Sequence, residues 1–175
     1  MAGVRISTPE SPLRLEPLAP HHDTAGFDCG PKRHGPIITR YFREEALGHH
    51  ALGICAATVT TDREVPARVA GFFTLSPVSV RVDASVLKTL GLAEAPYKQI
   101  GGYLLGRLGV DQRYKGEKLG PALVSVALSY AADDRRKVGG LFLAVDPKDP
   151  WLAHWYEGFG FTQVSSTGRM IRRLE

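Results

Sequence analysis

Gly106-Arg107-Leu108-Gly109-Val110-Asp111-Gln112-Arg113-Tyr114-Lys115-Gly116-Glu117-Lys118-Leu119-Gly120 is the most informative stretch of the 175-residue chain. Its apolar half completes a run from Gln99 to Val110 that reads as a central strand, with Gly101, Gly102, Gly106 and Gly109 along it. Glycine inside a strand marks a bulge or a close backbone approach, so this strand is expected to splay and receive an extended ligand. The basic half is a turn opening a helix expected over Pro121 to Ala132. The first N–H groups of a helix lack intrahelical partners, and the aligned peptide dipoles add positive charge there. A phosphate or diphosphate finds a ready site at such a start. Gly116 lets the main chain come close, and Arg113 and Lys115 bring full charges. An ordinary strand-to-helix turn shares these features, so the anion is an expectation. Two phosphate motifs do not fit: there is no Gly-Lys-Ser/Thr ending, and no three-glycine fingerprint followed by an acidic residue.

Outward from this stretch, Leu13 to Leu18 alternates as a first strand, and Pro36 opens an amphipathic helix to about His49. Ala51 to Thr60 and Ala67 to Leu75 read as an antiparallel hairpin, and Val86 to Leu92 as a short helix. Gly140 to Val145 is a short buried strand. Asp149 caps a helix with Pro150 at its first position, ending at Gly160. Phe161 to Ser166 and Arg169 to Leu174 close the chain as strands around Thr167-Gly168. Hairpins first and strand–helix–strand later predict an α/β fold of mixed α+β character in three layers.

The length suits one domain over residues 1–175. Hydrophobic residues at 43% and charged residues at 23% match a soluble globular protein. No apolar run approaches the roughly 20 residues that span a bilayer, and Met1-Ala2-Gly3-Val4-Arg5 lacks an apolar signal core. With Cys29 and Cys55 only, a reducing cytoplasm is expected. The net charge of +4 favours anionic partners without marking a dedicated nucleic-acid module. His21-His22 and His49-His50 lack the accompanying ligands of a metal site, so no metal is expected.

Arg113-Tyr114-Lys115-Gly116-Glu117-Lys118 resembles the acyl-CoA loop of the GNAT superfamily of N-acetyltransferases, Arg/Gln-x-x-Gly-x-Gly/Ala, with Leu119-Gly120 continuing in the usual way. Lys118 departs from the pattern, standing where Gly or Ala is expected. Val145 to Phe161 resembles the other half of that pattern, a strand leading to a helix that ends in an aromatic-Tyr-x-x-x-Gly-Phe phrase at Trp155-Tyr156 and Gly160-Phe161. Phe27-Asp28-Cys29-Gly30, Tyr41 to Leu47, Gly71 to Pro77 and Leu105 to Asp111 together look like the acetyltransferase toxins of toxin–antitoxin modules. Members commonly carry Ala where Gly109 stands.

That resemblance implies a single GNAT domain whose mixed, mostly antiparallel sheet splays at an acetyl-CoA site. It implies cofactor contacts from Leu108, Gly109, Val110, Arg113, Tyr114, Lys115, Gly116, Glu117, Lys118, Leu119, Gly120 and Tyr156. The Val110 N–H would hold the thioester carbonyl, and Tyr156 would be the general acid on the CoA sulfur. The acceptor would be aminoacyl-tRNA, the partner a small ribbon-helix-helix antitoxin, and the assembly a homodimer. Phosphate contacts on the tRNA would come from Lys32, Arg33, Arg40 and Arg43, and from Arg169, Arg172 and Arg173. The residues themselves bear on the acceptor: Gln99 to Val110 carries no Asp or Glu to act as base. A lysine amine, with pKa ~10.4, needs one more than an α-amino group near ~7.7. A GNAT acetylating a protein or small amine, or a weakly catalytic GNAT-fold binding protein, remain the alternatives.

Overall fold

A computed structural model of the chain describes residues 11–164 and 167–175. Its elements are β1 (Leu13–Pro17), α1 (Gly35–Glu44), α2 (Ala46–Ala51), β2 (Ala56–Asp62), β3 (Val69–Arg81), α3 (Ala84–Leu90) and β4 (Gln99–Val110). They continue with α4 (Leu119–Val138), β5 (Phe142–Val145), α5 (Pro150–Glu157), β6 (Thr162–Gln163) and β7 (Met170–Arg173). The seven strands hydrogen-bond in the order β1-β2-β3-β4-β5-β7-β6. Antiparallel ladders join β1 to β2, β2 to β3, β5 to β7 and β6 to β7. The β4·β5 pairing is parallel and confined to Tyr103↔Leu143 and Leu104↔Ala144. So short a pairing leaves Leu105 to Val110 of β4 without a ladder partner in β5.

The chain divides into two compact units, Met1–Leu75 with Arg107–Val126 and Ser76–Gly106 with Ala127–Glu175. In the first, successive residues of β3 face opposite ways. A Cβ on Gly71 would meet Leu119 and Leu123 of α4, so that helix rests directly on the strand. Phe72 points the other way into an aromatic cluster, 4.3 Å from Phe42 and 5.4 Å from Phe27 between ring centroids. All three rings are fully buried, each worth roughly 2–3 kcal/mol of apolar transfer. The second unit packs Val80, Ile100, Phe142 and Ile171 from its strands against Val86 and Leu90 of α3.

Several boundaries differ from the sequence reading. The helix expected over Pro36 to His49 is two, because Glu45 leaves helical geometry at φ −122°. Strand β2 begins at Ala56 rather than Ala51, since residues 51–54 finish α2 and its closing turn. Helix α4 runs six residues past Ala132, its last turns carrying Asp133–Arg136 and Asp134–Lys137 pairs. Of the strand expected from Phe161 to Ser166, β6 covers Thr162–Gln163. Ser165, Ser166 and the first ten residues lie outside the described residues.

Candidate active site

The turn after β4 is held by the side chains that a sequence reading would give to the ligand. Arg113 forks onto the Asp111 carboxylate, with Nε 2.8 Å from Oδ1 and Nη2 2.9 Å from Oδ2. The Tyr114 hydroxyl donates to Asp62 Oδ2 at 2.7 Å, and Lys115 Nζ donates to the Cys29 carbonyl. With three consecutive side chains spent on fixing the turn, its main chain is what faces outward. Gly116 adopts φ 87°, a left-handed conformation that favours glycine, and the space where a Cβ would stand is open. Glu117 and Lys118 are exposed, Leu119 is buried beneath, and Ala122 N–H makes the first helical bond of α4 to the Lys118 carbonyl. An exposed main chain with a glycine at the start of a 20-residue helix is a cradle that fits a diphosphate. Its backbone N–H groups are donors available to it, beside Arg113 and Lys115, each of which keeps N–H donors beyond those used above.

Lys118 also stands in the left-handed region, at φ 58°, which fits the Gly of the GNAT pattern better than lysine. A flexible side chain tolerates this conformation at modest cost; a β-branched one does not. Lys118→Val is therefore expected to lose about 2 kcal/mol while Lys118→Gly stays within about 1 kcal/mol of the parent. Urea unfolding at neutral pH measures both, and equal midpoints for the two variants would contradict the assignment.

Asp111 is the anchor of this region. It is 1% exposed and accepts four bonds: three from Arg113 (its backbone N–H, Nε and Nη2) and one from the Asp28 N–H at 3.0 Å. Burial pushes its carboxyl up, but the Arg113 and Asp28 hydrogen bonds outweigh that and hold it below the usual carboxylate range. Through Asp28 it reaches the loop before α1. Gln112 N–H donates to the Asp28 carbonyl at 2.8 Å and Gln112 Nε2 to Asp28 Oδ2 at 3.1 Å. Arg43 Nε donates to Phe27 O at 2.8 Å. Asp28, Asp111 and Gln112 were not candidates in the sequence. Eighty-three residues separate the first two, and no local pattern joins them.

Gly109 and Val110 lie beside Cys29. A Cβ on Gly109 would stand 2.7 Å from Ile38, 2.8 Å from Phe72 and 2.9 Å from Cys29 Sγ, so the alanine common in the resembling toxins has no room here. Burial pushes the Cys29 thiol from 9.0 up to about 11, only partly offset by Thr39, Lys115 and a hydrogen bond from the Val110 backbone. The unfolded thiol ionises at lower pH than the folded one, so the stability from this group is full below pH 9 and is lost as pH rises towards 11. Cys29 is 4% exposed, and two pKa units correspond to about 3 kcal/mol. The wild-type urea midpoint is expected to fall across that window, and Cys29→Ala to flatten the fall.

Tyr156 lies on α5 with its ring edge-on to Trp155 at 5.0 Å and to Phe161 at 5.5 Å. It is 7% exposed, and burial alone pushes its phenol up to about 12. Its hydroxyl has no hydrogen-bond partner among the described residues, yet it is not one of the sealed, unpaired polar atoms. A protonated phenol, buried around the ring and unsatisfied at the tip, is a donor waiting for an acceptor.

Of the basic candidates, Lys32, Arg33, Arg40 and Arg43 are exposed. Arg169, Arg172 and Arg173 are engaged: Arg169 pairs bidentately with Asp146 at 2.8 and 2.7 Å, Arg172 donates to Phe159 O at 2.6 Å, and Arg173 donates to Leu90 O. Glu16, His21 and His22 bring ligand atoms within 4.8 Å of one another, but the arrangement does not suit a cation. His22 Nδ1 accepts the Ala19 N–H at 2.9 Å, which puts the ring proton on Nε2 facing Glu16 Oε1 at 3.2 Å. No lone pair on that nitrogen remains to bind a metal. No helix among the described residues is long and apolar enough to cross a membrane.

No family model matches the sequence. The fold is shared over more than nine-tenths of the chain with solved structures that are 20–22% identical to it, a bacterial toxin among them. AtaT complexed with acetyl-methionyl-tRNAfMet is 22% identical, with a TM-score of 0.79 over 92% of this chain and 94% of that one. A KacT mutant with tyrosine changed to phenylalanine is 21% identical, with a TM-score of 0.80 over 94% and 96%. The AtaT toxin bound to the C-terminus of the antitoxin AtaR and acetyl-CoA, likewise a tyrosine-to-phenylalanine mutant, is 22% identical, with a TM-score of 0.75 over 94% of each chain.

Proposed function

We propose that the chain is an acetyl-CoA-dependent N-acetyltransferase acting on the amino group of aminoacyl-tRNA, the toxin of a toxin–antitoxin module. The observation that carries this reading is the open main-chain cradle at residues 115–120, following a β4 whose last residues have no ladder partner in β5, within a fold shared with AtaT and KacT over more than nine-tenths of the chain. Acetyl-CoA supplies an activated acetyl thioester. The N–H groups of the Gly116 turn and the first turn of α4 hold its diphosphate, and Leu108 to Val110 line its pantetheine. Polarising the carbonyl falls to the Val110 N–H, which in the free protein faces the Cys29 sulfur, a weak acceptor that a thioester oxygen outcompetes. The acceptor nitrogen forms the new N–C bond, the C–S bond breaks, and Tyr156 protonates the departing thiolate. The nitrogen's surplus proton leaves to solvent, which also returns a proton to Tyr156, and an α-amino acceptor near pKa ~7.7 has a neutral fraction of about a sixth at pH 7 ready to attack.

The 175 residues act as one domain, a homodimer in the cytoplasm, restrained by a ribbon-helix-helix antitoxin. Lys32, Arg33, Arg40 and Arg43 are exposed for phosphate contacts. Arg169 contributes positive field more than direct bonds because Asp146 holds it bidentately, while Arg172 and Arg173, each with one nitrogen on a carbonyl, keep donors for phosphate.

The test is transfer from labelled acetyl-CoA to a panel of charged tRNAs, with lysine peptides and small amines as competing acceptors. Label on the aminoacyl ester supports the reading. Label on peptide or small amine alone replaces it with a different GNAT acceptor, and failure to bind acetyl-CoA at high micromolar concentration removes the enzymatic reading.

A further inference from the structure

The unit containing the cradle has a second concave feature that the donor side does not use. It is a cleft of about 370 Å³ between the loop that starts at Asp28 and the outer side of α1, within the size range of small-ligand sites. Arg40 and Arg43, one turn apart on α1, line it together with Asp28 and Glu44, and with Pro31 and Pro36 as rigid apolar walls; each Asp28 oxygen already accepts one bond, from the Gly30 N–H at 2.7 Å and from Gln112 Nε2 at 3.1 Å, and keeps a second lone pair. Arg43 is fixed by its Nε bond to Phe27 O, which leaves its terminal nitrogens available. Arg40 makes no ion pair among the described residues and is exposed.

This mixed lining selects for a kind of ligand. A simple anion, or an acidic peptide, would gain from the arginines and be repelled by the carboxylates. A ligand carrying both a phosphate and hydrogen-bond donors satisfies both sets: guanidinium binds phosphodiester oxygens, and carboxylates accept from exocyclic amino groups or ribose hydroxyls. We propose that this cleft is the subsite for the 3′-terminal nucleotides of the RNA acceptor, with the phosphodiester on Arg40 and Arg43 and a base or sugar donor on Asp28 or Glu44. The inference rests on the acetyltransferase reading for the identity of the acceptor, and it adds where the acceptor's end is held. A ligand held here abuts the donor turn, because the cleft wall is bonded to it. Asp28 reaches Asp111 and Gln112, and Lys115 reaches the Cys29 carbonyl. A Cβ on Gly30 would stand 3.3 Å from Gln112 Oε1.

The experiment is an NMR titration of the full chain with the 5′-phosphorylated trinucleotide CCA up to millimolar concentration, at two salt concentrations, followed by acetyl-CoA. Arg40→Glu is expected to weaken trinucleotide binding at least tenfold and to flatten its salt dependence, with the acetyl-CoA Kd unchanged. Arg40→Lys should keep most of the affinity. Arg40→Gln repeats the comparison if charge reversal lowers the melting midpoint. Equal trinucleotide affinity in Arg40→Glu and wild type, no binding to wild type, or competition between trinucleotide and acetyl-CoA would overturn the proposal. So would equal binding of an acidic peptide, which would give the cleft to a protein partner. Loss of acetyl-CoA binding alone would count against the acetyltransferase reading and leave the cleft assignment standing.

Discussion

Tyr156→Phe is expected to lower kcat for acetyl transfer about a hundred- to a thousandfold, the range for loss of a positioned general acid. The acetyl-CoA Kd and the melting midpoint should not move. The ring stays edge-on to Trp155 and Phe161, so packing is kept, and a hydroxyl with no partner among the described residues leaves none orphaned when it goes. The proton is present at any working pH, because burial pushes the phenol up to about 12. The sign of the linkage is that of a raised acid. The unfolded tyrosine ionises near 10 and the folded one near 12, so its contribution to stability is complete below pH 10 and disappears as pH climbs through 12. The measurement is initial rate with labelled acetyl-CoA at saturating charged tRNA, neutral pH, alongside a donor titration. A Phe variant with wild-type kcat would show that the thiolate takes its proton from elsewhere, and would end the role assigned to Tyr156.

Asp111→Ala carries the largest expected loss of stability, about 3–5 kcal/mol, the usual cost of removing one partner from a buried charged network. The carboxylate is 1% exposed, and its removal strands the Asp28 N–H, the Arg113 N–H and the guanidinium fork together. Arg113 is nearly half exposed, so water relieves part of its loss and the lower end of that range is the better expectation. Because the folded carboxyl titrates below its unfolded value near ~3.9, the stabilisation is present above that pH and is lost as pH falls through the folded value. Urea unfolding at pH 7 should therefore separate wild type and variant widely, and the gap should narrow at pH 3. A gap that held constant with pH would mean the charge of Asp111 is not what holds the loop.

The parts of the fold legible in the sequence were those whose signal is local. The strand Gln99–Val110 and the Asp149–Pro150 helix start are where the glycine pattern and the cap rule put them, and Asp149 accepts the Leu152 N–H at 2.7 Å. Apolar periodicity found the core of α4 but stopped at Ala132, because the last turns hold themselves by charge pairs and bury little. The break at Glu45 was invisible, since Tyr41, Phe42 and Ala46 keep a helical spacing of buried residues across it. At the candidate site, the sequence reading assigned the side chains of the turn after β4 to a ligand. What it could not carry was the competition for those side chains. Asp111, Asp62 and the Cys29 carbonyl claim Arg113, Tyr114 and Lys115, and each partner except Asp111 comes from a distant part of the chain.

Two arginines near the carboxyl end, and Arg135 of α4, double as stays for the ends of other segments. Arg172 reaches the carbonyl of Phe159 just past α5, Arg173 that of Leu90 at the end of α3, and Arg135 that of Leu174. A charge-scanning experiment that swaps these arginines for alanine and finds weaker RNA binding would then be reading two things at once, lost positive field and loosened chain ends. Lysine replacements keep the field and lose the planar fork, so the difference between the lysine and alanine series separates them.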